Sequence, residues 1–151
     1  MGTGDGGFEA LRQMSVDAEL LTPAQVQSGD FARFNTMIIG VRADPQFGPF
    51  MIVGIGGVFV EVLNDVAVHL LPVDEEIARE MLRSLRGKSL LGPFRGKPPR
   101  DAAAVARAVA GLSRIFLDHR EWLSDLEVNP LIALAEGQGV RAVDVRAVPR
   151  G

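Results

Sequence analysis

The sequence contains no cysteine, which excludes disulfides, thiolate metal centres and a cysteine nucleophile. That absence suits a reducing compartment. There are two histidines and no serine in a Gly-x-Ser-x-Gly context, so a hydrolytic triad has little support. His69 alternates with apolar neighbours and His119 closes a helical pattern, where an imidazolium favours the dipole; each has a sufficient structural explanation. No run approaches the ~18 consecutive apolar residues of a membrane span. The most apolar stretch, residues 47–62, is interrupted by glycines and a proline. Residues 1–7 lack a basic start followed by an apolar segment and do not read as a signal peptide. The expectation is a cytoplasmic protein without a membrane partner. Basic excess is missing as well: the formal net charge is −3, and only Arg95, Lys97 and Arg100 cluster. That argues against a nucleic-acid partner.

What is present suits an ordinary folded domain. Hydrophobic residues make up 47% and charged residues 23% of the 151 positions, enough to build a core. Residues 1–35 differ in character from the rest: a glycine-rich opening, a short helical pattern over residues 8–21, and a segment expected to be partly mobile. From Thr36 onward the pattern is clearer. Residues 37–41 are an apolar, β-branched run that reads as a buried strand, and residues 50–53 and 66–71 read as two more. Asp74 is placed to cap a helix reaching about residue 85, with Glu75 and Glu76 at its positive end and Ile77, Met81, Leu82 and Leu85 as its apolar stripe. Asp101 is placed to cap a second helix to about residue 118, with Val105, Val109, Leu112, Ile115 and Phe116 facing inward. Residues 126–134 and 140–148 read as strands joined through Glu136-Gly137-Gln138-Gly139, a hairpin signal. The order is α+β: a mostly antiparallel sheet with helices packed on one face.

Two constellations could carry chemistry. Glu127 and Asn129 share a strand face because they are two residues apart. If residues 136–139 form a four-residue loop, Ala135 pairs with Val140 and Leu131 with Asp144, which brings Asp144 to that same face. Pro130 could add a bulge. Two carboxylates and one amide form an oxygen-only set suited to Mg²⁺; the alternative is a set of solvated residues on an exposed sheet face. The second constellation is Gly54-Ile55-Gly56-Gly57. Its glycines could let backbone N–H groups approach a phosphate, or could simply make a tight turn. Arg42, Asp44 and Gln46 lie at alternate positions, as the rim of a site or as a polar strand end.

Longer strings give these positions a context. Gly40-Val41-Arg42-Ala43-Asp44-Pro45-Gln46-Phe47-Gly48-Pro49, Gly54-Ile55-Gly56-Gly57-Val58-Phe59-Val60-Glu61-Val62-Leu63 and Asp65-Val66-Ala67 resemble the ATP-grasp subunit of ADP-forming acyl-CoA synthetases. So do Met81-Leu82-Arg83-Ser84-Leu85-Arg86-Gly87, Arg95-Gly96 and Leu126-Glu127-Val128-Asn129-Pro130-Leu131. The resemblance runs from about Thr36 to Val148 and covers the C-terminal half of the ATP-grasp domain. The family is related to succinyl-CoA synthetase and interconverts an acyl-CoA, ADP and phosphate with a free acid, CoA and ATP through a phosphohistidine. The resemblance implies Mg²⁺ and ATP or ADP as cofactors. It implies Asn129 and Asp144 as metal-coordinating positions with Glu127 beside them, Gly56 and Gly57 in the loop facing the transferred phosphate, and Arg42 and Glu61 lining the same cleft.

There are departures. The first strand begins with Thr36 where the family usually has a glutamate, and residues 1–35 do not resemble the subdomain that supplies the adenine pocket. The expectation is a chain inactive alone, whose partners are a CoA-binding subunit or domain and an N-terminal ATP-grasp half, or a second copy in a homodimer. The alternative is a non-catalytic, truncated ATP-grasp module serving assembly or regulation.

Overall fold

Alternation of buried and exposed side chains sets the frame of the sheet. The computed structural model of the chain describes residues 18–20, 36–55, 65–92 and 98–151. Strand β1 (Ala18–Leu20) comes first in the chain. Strand β2 (Thr36–Asp44) buries Met37, Ile39 and Val41 and turns the residues between them to the other face. Its hairpin partner β3 (Gly48–Ile55) runs antiparallel from Met37↔Ile55 to Asp44↔Gly48. The Asp44 carboxylate closes that turn by accepting from the N–H groups of Gln46 and Phe47, each at 2.8 Å. Gly48 leaves the turn at φ +85°, where a side chain would be strained. Strand β4 (Val66–Leu70) adds antiparallel to β3 at the sheet edge.

Both helices begin where a carboxylate can satisfy a free N–H. Asp74 accepts from Ile77 N–H at 2.8 Å and starts α1 (Glu75–Ser84), which buries Ala78, Met81 and Leu82. A 3₁₀ helix, Arg86–Leu91, follows; Arg86 N–H donates to the buried carboxylate of Asp65 at 2.8 Å. Asp101 starts α2 (Ala102–His119) by accepting from Ala104 N–H at 3.1 Å. That helix buries Val105, Val109, Leu112 and Phe116, while Ala104, Ala106 and Ala108 keep its inner face low enough to lie close to its neighbours. Ser113, also buried, accepts from Val73 N–H at 2.9 Å and ties α2 to the segment before α1.

Strand β5 (Leu123–Ala133) is the centre of the sheet, antiparallel to β2 on one side. On its other side the returning chain is divided into β6 (Val140–Ala142) and β7 (Val145–Pro149), both antiparallel to β5. The order is β1-β6-β5-β2-β3-β4, with β7 continuing along β5 beyond β6. Met37, Ile39, Val41, Met51, Val53, Leu126 and Val128 join the inner faces of α1 and α2 in one hydrophobic core. Each such fully buried side chain contributes about 1.5–3 kcal/mol by leaving water. The architecture is the expected α+β sheet with its helices on one face.

Two local expectations change. Ala18–Leu20 falls inside the stretch read as a helix over residues 8–21, but it is a strand, parallel to β6. The remainder of that stretch lies outside the described residues. The single strand expected over residues 140–148 is interrupted at Val143 and Asp144. Among the described residues, no helix is long and apolar enough to cross a membrane.

Candidate functional site

The register of the last hairpin decides which polar groups meet. A four-residue loop would have paired Ala135 with Val140; Ala133 pairs with Val140 and Leu131 with Ala142 instead. The reason lies outside the hairpin. Gly137 and Gly139 donate their N–H groups to the second carboxylate oxygen of Asp101 at 3.1 and 2.9 Å. Glu136 N–H donates to the carbonyl of Pro99 at 2.8 Å, and Ala135 bridges to Arg100. The loop therefore spreads over the start of α2, with both glycines at positive φ, rather than closing as a tight turn. The register shift is two residues. Leu131 itself faces the core, so it is the β7 register, with Val128 opposite Val145, that keeps Asp144 on the face of Glu127 and Asn129.

It also moves Asp144 level with Asn129. The pairs Val128↔Val145, Glu127↔Arg146 and Leu126↔Ala147 fix β7 on β5, and Asn129 N–H donates to the Asp144 carbonyl at 3.0 Å. Directly opposed residues on antiparallel strands have Cβ atoms about 4.5–5.5 Å apart. Val128 is fully buried and Val145 packs on the core, so their polar neighbours Glu127, Asn129, Asp144 and Arg146 occupy the helix-free face.

Both strands are irregular at this level. Between Val128 and Leu131, β5 carries one more residue than β2 opposite it, a bulge at Asn129 and Pro130. The bulge reverses the alternation: Leu126 and Val128 point to the core before it, and Leu131 and Ala133 after it. Asn129 thus stands at the end of the polar stretch of β5, facing the break between β6 and β7 that contains Asp144.

Arg42 is exposed, paired in register with Asp125 and diagonal to Glu127, whose own partner on β2 is Gly40. The bare Cα of Gly40 matters here. A Cβ added to it would lie 3.6 Å from both Cβ and Cγ of Glu127 and 3.4 Å from the Leu126 carbonyl oxygen, so the Glu127 stem runs close over β2. Gly56, Gly57 and Glu61, and the apolar residues 58–63, lie outside the described residues.

Among the described residues, Arg42, Glu127, Asn129, Asp144 and Arg146 have no side-chain hydrogen bond or ion pair. Nor do the described residues contain a cluster of three or more His, Cys, Asp and Glu able to hold a metal alone. Two carboxylates and an amide on one face fit Mg²⁺, which uses one or two carboxylates and completes its octahedron with water and phosphate oxygens. They do not fit Zn²⁺, which prefers nitrogen and sulfur donors. Glu127, Asn129 and Asp144 are therefore brought together, and Arg42 joins them at the diagonal. Sequence reading missed Arg146; its two-residue spacing from Asp144 was the available signal.

A sizeable cavity lies elsewhere among the described residues. It measures about 510 Å³ and lies between Arg79, Leu82 and Arg83 of α1, Leu91, the approach to α2 at Pro99 and Arg100, and the exposed Glu136. Its buried carboxylate, Asp101, is already engaged by three backbone N–H groups.

Residues 9–148 match the family model of the ATP-grasp domain. The chain is 34% identical over 115 residues to the beta subunit of ADP-forming acetate–CoA ligase II of Pyrococcus furiosus, covering 76% of this chain and 49% of that subunit. It is 31% identical over 140 residues to the ADP-forming acetate–CoA ligase of Methanocaldococcus jannaschii, covering 93% of this chain and 20% of that enzyme. Among solved structures it resembles the dinucleotide-forming acetyl-coenzyme A synthetase 1 of Candidatus Korarchaeum cryptofilum. That structure is in complex with coenzyme A and Mg-AMPPCP, its phosphohistidine segment pointing towards the nucleotide-binding site. The TM-score is 0.71 at 37% identity, over 76% of this chain and 53% of the other. The chain thus spans about half the length of that subunit and a fifth of the single-chain enzyme.

Proposed function

Because the chain belongs to the ATP-grasp family and is homologous to the ATP-grasp region of ADP-forming acid–CoA ligases, we propose that it forms the Mg²⁺- and phosphate-binding half of a nucleotide site in such a ligase. One observation carries the reading: Asn129 and Asp144 are opposed on the helix-free face, with Glu127 two residues from Asn129. Asn129 and Asp144 would hold the ion through their side-chain oxygens, and Glu127 would accept from a metal-bound water or complete the ligand set. The ion, when bound, offsets charge on the phosphate oxygens during transfer. Arg42, diagonal to Glu127, adds a fixed positive charge for the same oxygens. Gly56, Gly57 and Glu61 join this reading on sequence alone, as the phosphate-facing loop and the cleft wall.

The division of labour follows from the same reading. Residues 36–151 act as the phosphate-side subdomain, and the adenine-binding half and the CoA-binding part come from partner segments or, for the nucleotide site, a second copy. Nucleotide is then held firmly only in the assembled site. Acyl selectivity belongs to the CoA-binding part.

The test is metal affinity. Mn²⁺, a spin-active substitute for Mg²⁺, is titrated into the full chain and followed by electron paramagnetic resonance. Asp144→Asn is expected to weaken binding at least about tenfold, since outer-shell changes alone cost 10–100-fold in metal sites. Its denaturation midpoint stays within about 0.5 kcal/mol of wild type because Asp144 is exposed. Equal Mn²⁺ affinity in the two proteins overturns the assignment.

A further inference from the structure

Arg146 lies on the proposed metal face without an assigned task. It is exposed, stands directly opposite Glu127 in the β5–β7 register, and is two residues from Asp144. Val145 and Ala147 on either side of it pack on the core, which fixes the direction of the side chain between them. Opposite charges facing each other across strands ordinarily draw together. Here they do not: among the described residues Arg146 makes no ion pair. The Glu127 stem runs over the bare Cα of Gly40, on the side of Glu127 away from β7. The guanidinium is thus left free beside two carboxylates.

The charges on this face show what it could serve. Arg42 stands on β2, across β5 from the strand that carries Arg146, and is level with Asp125 rather than with Glu127. Arg146 is the other cation next to Glu127 and Asp144. A divalent ion on Asn129 and Asp144 would offset the charges of Asp144 and Glu127 and leave that of Arg146 uncompensated, a setting for a polyphosphate. A guanidinium suits that ligand, because its planar fork can donate two hydrogen bonds to one phosphate. We propose that Arg146 is a phosphate-binding residue of this site, engaging the oxygens of a polyphosphate group alongside the metal. This rests on the metal-face reading above. Its consequence is that polyphosphate affinity and metal affinity divide between neighbouring residues of one strand segment: Asp144 governs both, Arg146 the first alone.

The experiment uses the full chain as wild type, Arg146→Gln, Arg146→Lys and Asp144→Asn. Inorganic tripolyphosphate with saturating Mg²⁺ is titrated at low ionic strength and followed by ³¹P NMR, and Mn²⁺ alone is titrated in parallel. Arg146→Gln is expected to weaken tripolyphosphate binding about fivefold, as for loss of one charge-assisted contact at an exposed site. Arg146→Lys recovers part of the loss. Mn²⁺ binds Arg146→Gln as tightly as wild type or more tightly, because a repelling charge has gone, and circular dichroism is unchanged. Tripolyphosphate affinity that falls with Asp144→Asn but not with Arg146→Gln overturns the role of Arg146 and leaves the metal reading standing. Mn²⁺ affinity indifferent to Asp144→Asn removes the metal reading itself. A wild-type chain that does not bind tripolyphosphate overturns the inference as well.

Discussion

The two hairpins that frame this sheet are closed in different ways. In β2–β3 the carboxylate that satisfies the turn, Asp44, belongs to the turn and reaches N–H groups two and three residues ahead. In β5–β6 the corresponding carboxylate is Asp101, 36 and 38 residues away from the glycines it holds and also the cap of α2. The first is a local solution and its tight loop follows from four or five residues. The second makes the loop conform to the helix beneath it, and places Asp144 level with Asn129.

Removing the shared carboxylate should show the difference most strongly. Asp101→Ala strands three backbone N–H groups around a position only 6% exposed, and is expected to cost about 3 kcal/mol in urea denaturation. Amide exchange at Gly137 and Gly139 should accelerate with it; a loss below about 1 kcal/mol would mean the loop holds itself. Next come the glycines at positive φ. Gly139→Ala and Gly48→Ala should each cost about 1–2 kcal/mol, the penalty for a side chain in that conformation. Neither added Cβ meets an atom closer than 3.7 Å, so the two hairpins should lose similar amounts by the same denaturation assay. A marked inequality would place the difference between them in the backbone rather than in the carboxylate. Smallest is Asp44→Ala, at about 0.5–1 kcal/mol, because its two hydrogen bonds are exposed and water replaces them.

The same contrast separates what was legible in the sequence from what was not. Asp74 and Asp101 marked both helix starts, because capping is decided within three residues. The runs at residues 37–41 and 50–53 marked both strands of the first hairpin for the same reason. Register in the last hairpin was not readable, since the acceptor that sets it is fixed by tertiary structure. Nor was β1: Ala18, Glu19 and Leu20 favour helix, and only pairing with β6 makes them a strand. The face shared by Glu127, Asn129 and Asp144 depends on the bulge, to which Pro130 had pointed, and on the interval between β6 and β7, which no local pattern announced. Arg146 escaped notice because one arginine on a polar strand face carries no local signature; only the register sets it against Glu127.

The bulge and the break that meet at Asn129 and Asp144 also distribute stiffness across the candidate site. Glu127 belongs to a strand with ladder partners on both sides, Gly40 and Arg146, and cannot shift without disturbing two neighbours at once. Asp144 sits between two strands with its carbonyl accepting from Asn129 N–H, but its side chain is exposed and makes no hydrogen bond among the described residues, so it can turn while β6 and β7 stay in place. One jaw of the clamp is fixed and the other can yield. In the proposed metal reading, an ion with near-ideal octahedral demands would be met by adjusting one side alone, and released the same way when its phosphate ligands depart.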